Sequence, residues 1–440
     1  MSIVLLNQLW FQEELRAQGH RVISAASRSK GADICIARPG THIEEILAQM
    51  PAGFYPDCLI YYDDSGPITV LGLEKCDIPK VFFSVDAHHH SAWHSHFACA
   101  FDETLVAQKD YIPEFKKFNN SVTWFPLWAP VSIEPKSEKT CEVSFRGNLC
   151  SRAHPKRVQF FKKLRELVDV EIDASEGRYR DIYPASRIVV NQAVKRDVNF
   201  RVFEGMMCGA FMLTTNTENG LGELFEIGKE LVVYEDGDAE DAANKIRYYL
   251  ENEVEREKIA AAGRKTIIER HTAKKRGRDL ERILLSLEKK QNSCRHYCAA
   301  IAYLTSAKMA RGRSPRVYEL FVKAAAEGLS KSAEVNEVVN DGFINAVHLT
   351  NYLLRELGLN LEALNFVCEI YQYSCHDTSL AVSLVASLLE HGLIEQAFAL
   401  AREISHEPEK LLAEAPKMTD SIHHRLADVL LNSSTNSRQN

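Results

Sequence analysis

Short apolar runs alternate with stretches of three- and four-residue periodicity over roughly the first two thirds of this chain. Ile3–Leu6, Val22–Ala25, Asp33–Ala37, Cys58–Tyr62, Lys80–Val85 and Thr104–Ala107 read as buried strands, with a helix at Glu13–Gln18 closed by Gly19. A second series follows: Cys141–Phe145, Val168–Asp173, Ile188–Asn191, Phe211–Thr214 and Leu231–Tyr234. Between these strands the spacing predicts helices at Pro155–Leu167, Tyr179–Ala185, Phe200–Gly209, Leu221–Glu226 and Ala239–Leu250. Strands alternating with helices imply parallel sheets covered on both faces. The expected architecture is therefore α/β, with two Rossmann-like halves facing across a cleft. The chain crosses between them near Trp128–Lys139, a segment bordered and stiffened by Pro126, Pro130 and Pro135.

Beyond Gln291 the pattern becomes wholly helical and repeats. Gly358-Leu359, Ala363 and Glu369-Ile370 recur 34 residues later as Gly392-Leu393, Ala397 and Glu403-Ile404, the period of a tetratricopeptide helix pair. Asn351 and Val385 replace the small residue usual in the first helix, and the terminal proline is absent, so the repeats are degenerate. The predicted units are 1–130, 140–290, a TPR-like all-α region at 295–431, and a polar, disordered tail at 432–440. Such an array offers a surface for a partner protein, or serves as a helical cap.

Candidate chemistry concentrates at Asn199–Gly228. A helix starting at Phe200 would bury Phe203, Met206, Met207 and Ala210, with Arg201 and Glu204 beside that face. The helix N-terminus suits an anion, and a carboxylate in the first turn suits the dipole. Asn199 and Arg201 are candidate anion ligands, since a guanidinium fork matches phosphate oxygens; the alternative is a surface arginine paired with Glu204 or Asp197. The loop Arg146-Gly147-Asn148-Leu149-Cys150-Ser151-Arg152 joins a strand to a helix, a second geometry able to hold an anion.

The segments RVFEGMMCGAFMLTT, LFEIGKELVVY, IRYYLENEVEREKIAAAGR and ERHT resemble the nucleotide-sugar-binding half of a GT-B glycosyltransferase, in particular the CgeB-like branch related to the family-4 (group 1) transferases. The resemblance spans about Val143–Leu284, and Ile3–Pro130 more loosely. It implies a metal-independent hexosyltransferase with no cofactor beyond its nucleoside-diphosphate-sugar donor. The acceptor hydroxyl would belong to a glycan, a lipid-linked saccharide or a protein, as in cell-surface polysaccharide or protein glycosylation. Glu204 would hold the ribose hydroxyls, with Gly147, Asn148, Arg152, Asn199 and Arg201 around the donor and Arg201 stabilising the departing diphosphate. In the wider family a first glutamate stands eight positions earlier; here that position is Arg196. The resemblance leans toward a retaining reaction, whereas the missing glutamate leaves inversion open, with Asp86 or a nearby histidine as base. Decay of the core into a non-catalytic scaffold, and a sugar-nucleotide epimerase, are the competing readings.

Asp86-Ala87-His88-His89-His90-Ser91-Ala92-Trp93-His94-Ser95-His96 follows a predicted strand and reads as an active-site loop. Asp86 or one of His88–His90 is a candidate catalytic base, with metal binding and a solvated loop as the alternatives. Asp63-Asp64 before Ser65-Gly66-Pro67 reads as a turn. A net charge of −7 argues against a nucleic-acid surface. The eleven cysteines are scattered, Cys294 and Cys298 lack partners at metal-ligand spacing, and free thiols in a reducing compartment are expected. No run reaches the roughly eighteen apolar residues of a membrane span, and no basic residue precedes Arg16, so the expected location is cytoplasmic.

Overall fold

The computed structural model describes residues 1–26, 31–36, 39–173, 179–290, 292–337, 340–374 and 377–436. The strands in chain order are β1 (Ser2–Leu6), β2 (Arg21–Ala26), β3 (Ile34–Cys35), β4 (Thr41–His42), β5 (Cys58–Tyr62), β6 (Val70–Leu71) and β7 (Lys80–Ser84). They continue as β8 (Glu103–Val106), β9 (Val122–Trp124), β10 (Cys141–Arg146), β11 (Glu171–Asp173), β12 (Ser186–Asn191), β13 (Phe211–Thr215) and β14 (Val232–Tyr234). A seven-stranded sheet runs β3-β2-β1-β5-β7-β8-β9, a five-stranded sheet runs β11-β10-β12-β13-β14, and β4 pairs with β6 alone. All pairings are parallel, as the strand–helix alternation predicts; Val4 sits opposite Ile23 and Leu59, and Val189 opposite Met212. The expected strand Asp33–Ala37 is two residues long here, and Ala37 lies outside the described residues.

Each strand sends alternate residues to opposite faces. Val4, Leu6, Leu59, Tyr61 and Phe82 enter one core, while Ile3, Leu5, Ile60, Val81 and Phe83 enter another. The second of these cores continues through Trp128 into Val202, Phe203 and Met206, so the two α/β units share buried apolar surface. Val143, Phe145, Ile188, Phe211 and Leu213 line a third core on the far face of the smaller sheet.

The crossing segment is packed down. Trp128 is 2% exposed, its ring 4.3 Å from Phe11 and 5.2 Å from Phe200. The chain returns beside it, with Ala129 N donating to His271 O at 2.8 Å. The helix Ala273–Leu285 then packs on Gln12–Ala17 of the first unit.

Two expectations need correction at this level. The histidine-rich stretch is a helix, Ala87–Phe97, because Ala87, Trp93 and Phe97 supply a face that buries in the first unit's core. Its imidazoles therefore point in different directions. Glu204 lies at the fifth position of the helix Phe200–Met207, beyond the first turn, because Asn199 is the N-cap and accepts a hydrogen bond from Arg201 N. Its environment, not the dipole at the helix start, has to explain its state.

The helices Arg295–Ala310, Pro315–Glu334, Asp341–Glu356, Asn360–Tyr373, Thr378–Glu390, Ile394–Ile404 and Pro408–Asn436 complete the chain. Gly358 (φ 76°) and Gly392 (φ 71°) close helices in the left-handed conformation that a glycine adopts without strain. Asn360 and Ile394 restart the chain 34 residues apart, and Ala363 and Ala397 are buried in the helix contacts that follow. The last helix starts at Pro408, suited to a first helical turn, and runs past Leu431. The expected tail is thus helical through Asn436, since each added residue gains one backbone bond once a helix exists; 437–440 lie outside the described residues.

The helical region shares its core with the first α/β unit: Ala299, Tyr303, Phe321 and Leu329 join Val4, Leu6 and Phe97 in one cluster. Tyr303 Oη donates to Glu74 Oε2 (2.6 Å) and accepts from Gly72 N (3.0 Å). Cys294 and Cys298, partnerless along the sequence, acquire a partner through this packing: Cys99 Sγ lies 3.4 Å from Cys294 Sγ. Among the described residues no helix is long and apolar enough to cross a membrane.

Candidate functional site

In a parallel sheet, ligand sites form beyond the strand C-termini where the strand order reverses direction. In the smaller sheet that point lies between β10 and β12, and in the larger between β1 and β5. The loops leaving these strands carry most of the chemistry.

At the first of these points, Arg201 reaches back over the end of β10. Its Nε donates to Arg146 O (2.6 Å), its Nη1 to Asn191 Oδ1 (2.5 Å), and the guanidinium lies 4.5 Å from the centre of the Phe145 ring. Gly147 makes this possible, because a Cβ there would stand 2.1 Å from Arg201 Nη2. Asn199 caps the helix through Oδ1 and donates Nδ2 to Asn191 Oδ1 (3.2 Å). A second guanidinium, Arg157, stacks near the same ring (5.9 Å) and donates to Gln192 O through Nε (3.1 Å) and Nη2 (2.9 Å). Burial, and then the Arg201 charge, holds Arg157 down to about 10. Among the described residues neither guanidinium has an ion-pairing carboxylate, although buried Arg157 already directs Nε and Nη2 to Gln192 O and Nη1 to Asn148 O (3.5 Å), so the two form a patch of positive charge without a carboxylate counter-charge.

Glu204 follows one turn after Arg201. Burial pushes its carboxyl up from 4.5 to about 7, and the Arg201 and Arg180 charges offset only part of this. Among the described residues its side chain has no hydrogen bond, so its acceptor capacity is free.

The loop after β12 is held in an unusual shape. Lys195 (φ 50°) and Arg196 (φ 61°) are consecutive left-handed residues, a costly conformation that tends to persist at functional sites. Asp197 Oδ1 accepts from Val194 N at 2.6 Å, and Arg196 Nη2 pairs with Glu218 at 2.9 Å. The first unit clamps this loop: Gln108 Oε1 accepts from Val198 N (3.0 Å) and Asn219 Nδ2 (2.5 Å).

Across the crevice the helix Ala87–Phe97 presents its N-terminal histidines. Buried His88 places Nε2 3.9 Å from Asp197 Oδ2, and the His89 ring lies 6.2 Å from His154 of the second unit. Asp86 accepts from Ser65 Oγ and donates its backbone N–H to Asp63 Oδ2 at 2.8 Å. Asp63 also accepts from Ser65 N (2.7 Å), so the expected turn at Asp63 is present, but the carboxyl is buried. Burial, then the neighbouring Asp86, raises Asp63 to about 7. His94 is fully buried and bonded to Ser84 Oγ (2.8 Å); burial drives its pKa far below the usual imidazole range, so it is neutral beside Asp63 (3.8 Å).

The structure thus brings Gly147, Asn199, Arg201 and Glu204 together on one side and Asp86 and His88 on the other. Arg152 stands apart, and Asn148 touches the site only through its backbone O, which accepts from Arg157 Nη1 at 3.5 Å. Asn148 is exposed and folds onto its own loop, accepting from Cys150 N at 2.8 Å, and exposed Arg152 makes no side-chain hydrogen bond or ion pair with the described residues. Sequence reasoning did not single out Arg157, Asn191 or Gln108, and treated Asp197 only as a possible Arg201 partner. Asn191 ends a strand and was visible as such, whereas Arg157 looks like an ordinary polar position of an amphipathic helix. A groove of about 800 Å³ lies elsewhere, between Pro135–Lys139 and the helix Glu253–Arg270, and contains none of these groups.

A family model described as "Glycosyl transferase-like" matches residues 151–282. No curated protein matches the chain. Among solved structures, a glycosyltransferase from Rickettsia africae is 11% identical over 66% of this chain and 99% of its own, with a TM-score of 0.47. Sucrose-phosphate synthase from Thermosynechococcus elongatus is 10% identical over 65% of this chain and 98% of its own (TM-score 0.48). Anabaena HepE, solved with UDP and glucose, is 12% identical over 65% and 100% (TM-score 0.46). These likenesses assign no residue.

Proposed function

We propose that the chain transfers a sugar from a nucleoside-diphosphate-sugar to an acceptor hydroxyl, with the donor on the second unit and the acceptor on the first. The observation that carries this reading is the pair Arg201 and Arg157 on Phe145, without carboxylate partners among the described residues, at a capped helix N-terminus beyond a switch point. Breaking the glycosidic bond moves negative charge onto the departing diphosphate, and a pre-set cation there lowers the barrier without reorganisation. Arg201 takes this role, and the same fixed charge makes a divalent ion unnecessary. Glu204, with free carboxylate oxygens, takes the ribose hydroxyls in charge-assisted bonds. Asp86 is the candidate base for the acceptor hydroxyl, with His88 beside the sugar. The helical region, built onto the acceptor-side unit, recruits the acceptor or a partner protein.

The test is a panel of UDP-, GDP-, ADP- and dTDP-sugars, with hydrolysis and transfer followed by nucleotide release. Release of free nucleoside diphosphate with a glycosylated product is the expected result; it also excludes epimerisation. No nucleotide binding by calorimetry, together with no loss on Glu204→Ala, would sink the enzyme reading and leave a scaffold. Proton NMR of the product anomer separates retention, which the resemblance implies, from inversion with Asp86 as base.

A further inference from the structure

At the far end of the histidine-rich helix from the crevice, three thiols converge. Cys99 (1% exposed) and Cys298 (0%) are buried, and Cys294 is partly buried at the N-cap of the helix Arg295–Ala310. Cys294 Sγ lies 3.4 Å from Cys99 Sγ and 3.7 Å from Cys298 Sγ, and all three sulfurs fall within 4.8 Å of one another. Thiolates bound to zinc at about 2.3 Å in a tetrahedron stand roughly 3.8 Å apart. Among the described residues no other group of histidine, cysteine and carboxylate ligands converges as closely.

The surroundings are built. Asn292 Nδ2 donates to Cys99 O (2.7 Å) and Phe101 O (3.2 Å), fixing the approach of the two segments. Glu337 accepts from the N–H groups of His296 (3.0 Å) and Tyr297 (3.1 Å), holding the helix start that carries Cys294 and Cys298. His96 stands one turn before Cys99. Its Nδ1 donates to Ala92 O (3.0 Å), which leaves the Nε2 lone pair available, but its ring packs on Phe118 (4.1 Å between centroids) and its nitrogens are not among the atoms that converge within 4.8 Å.

We propose that Cys99, Cys294 and Cys298 bind a structural zinc ion through their thiolates, with His96, which lies outside the converging set, turning Nε2 in as the fourth ligand when the ion binds. Soft sulfur donors in a closed set favour zinc over hard cations. Binding releases the three thiol protons to solvent and forms three zinc–sulfur bonds, with no change of oxidation state. The ion would staple the helical region to the end of the helix whose other end carries His88 and His89. The proposal is independent of the donor and acceptor assignment.

Full-length protein purified with reductant and no added chelator should contain about one zinc per chain by elemental analysis. Cys294→Ser and Cys298→Ser should lower this severalfold, while Cys150→Ser, an exposed thiol outside the cluster, should leave it unchanged. Cobalt(II) added to zinc-depleted wild-type protein provides a readout that needs no variant to fold: sulfur-to-cobalt charge-transfer bands and intense visible bands of a tetrahedral site are expected. His96→Ala should retain the charge-transfer bands and shift the visible ones; unchanged visible bands would remove His96 from the ligand set. Zinc-free protein lacking these cobalt bands, or a Cys99–Cys294 disulfide in protein mass-analysed without reduction, would overturn the proposal, as would full zinc content in both serine variants.

Discussion

Glu204→Gln isolates the cost of burying a carboxylate one turn after Arg201. The folded chain holds this carboxyl at about 7 instead of 4.5, chiefly through burial. A raised value in the folded state means that the folded form prefers the proton. The stability it contributes is complete below about pH 4.5 and is lost progressively as pH rises through 7. A shift of this size corresponds to about 3 kcal/mol. Glutamine keeps the shape without the charge, so the variant's thermal midpoint should lie closest to wild type near pH 4.5 and rise progressively above it up to pH 8. Donor binding should run the other way. If the ionised carboxylate accepts the ribose hydroxyls, a nucleotide-sugar, which does not itself titrate in this range, should bind about tenfold more weakly at pH 6 than at pH 8. Calorimetry in buffers of different ionisation enthalpy should show close to one proton released at pH 6. A stability difference between wild type and the Glu204→Gln variant that stays flat from pH 5 to pH 8 would refute the burial argument; pH-independent binding without proton release would refute the ribose role.

Three further outcomes follow from single contacts. Gly147→Ala places a methyl 2.1 Å from Arg201 Nη2 and should weaken nucleotide binding about as much as Arg201→Ala, measured by titration calorimetry. Gly263→Ala sets a Cβ 2.3 Å from Glu230 O and 2.8 Å from Met206 Cε; overpacking of this kind costs about 1–3 kcal/mol, visible as a lowered thermal midpoint. Tyr303→Phe strands the buried Glu74 carboxylate and Gly72 N–H, and should destabilise the chain by about 2–3 kcal/mol in denaturant titration.

Local periodicity was enough to place eleven of the fourteen strands among the described residues and the Pro155–Leu167 helix, because these depend on residues close in sequence, whereas β4, β6 and β9 are only two or three residues long and show no period. It misread Asp86–His96 because histidine is a middling helix former, and what makes that segment helical is the burial of Ala87, Trp93 and Phe97 against residues far along the chain. The same limit hid the cysteine cluster: Cys99 and Cys294 are 195 positions apart, and only tertiary packing brings them to 3.4 Å. Gly147, Asn199, Arg201 and Glu204, which the structure clusters, were legible from a strand–loop–helix pattern together with the family resemblance. Arg157 was not, since nothing in its neighbours reveals that its helix turns it toward Phe145. Asn148 and Arg152 lie in a loop that the fold leaves exposed.

The packing of the helical region also decides what kind of attachment it is. An appendage recruited onto a finished enzyme would meet it through a solvated surface, with each partner's polar groups satisfied on its own. Here Gly72 N–H, Ile68 N–H and the 2%-exposed Glu74 carboxylate find partners in Tyr303 and Ser306, across the seam. Stranding each such group costs about 1–3 kcal/mol, and more for the charge. Uncovering buried side chains such as Phe321 and Leu329 adds about 1.5–3 kcal/mol each. Together these approach the whole stability of an ordinary domain, roughly 5–15 kcal/mol. The first α/β unit and the first two C-terminal helices are therefore one folding unit written in two distant pieces of sequence. Whatever the later helices hold is thereby fixed rigidly to the side of the crevice that carries Asp86 and His88.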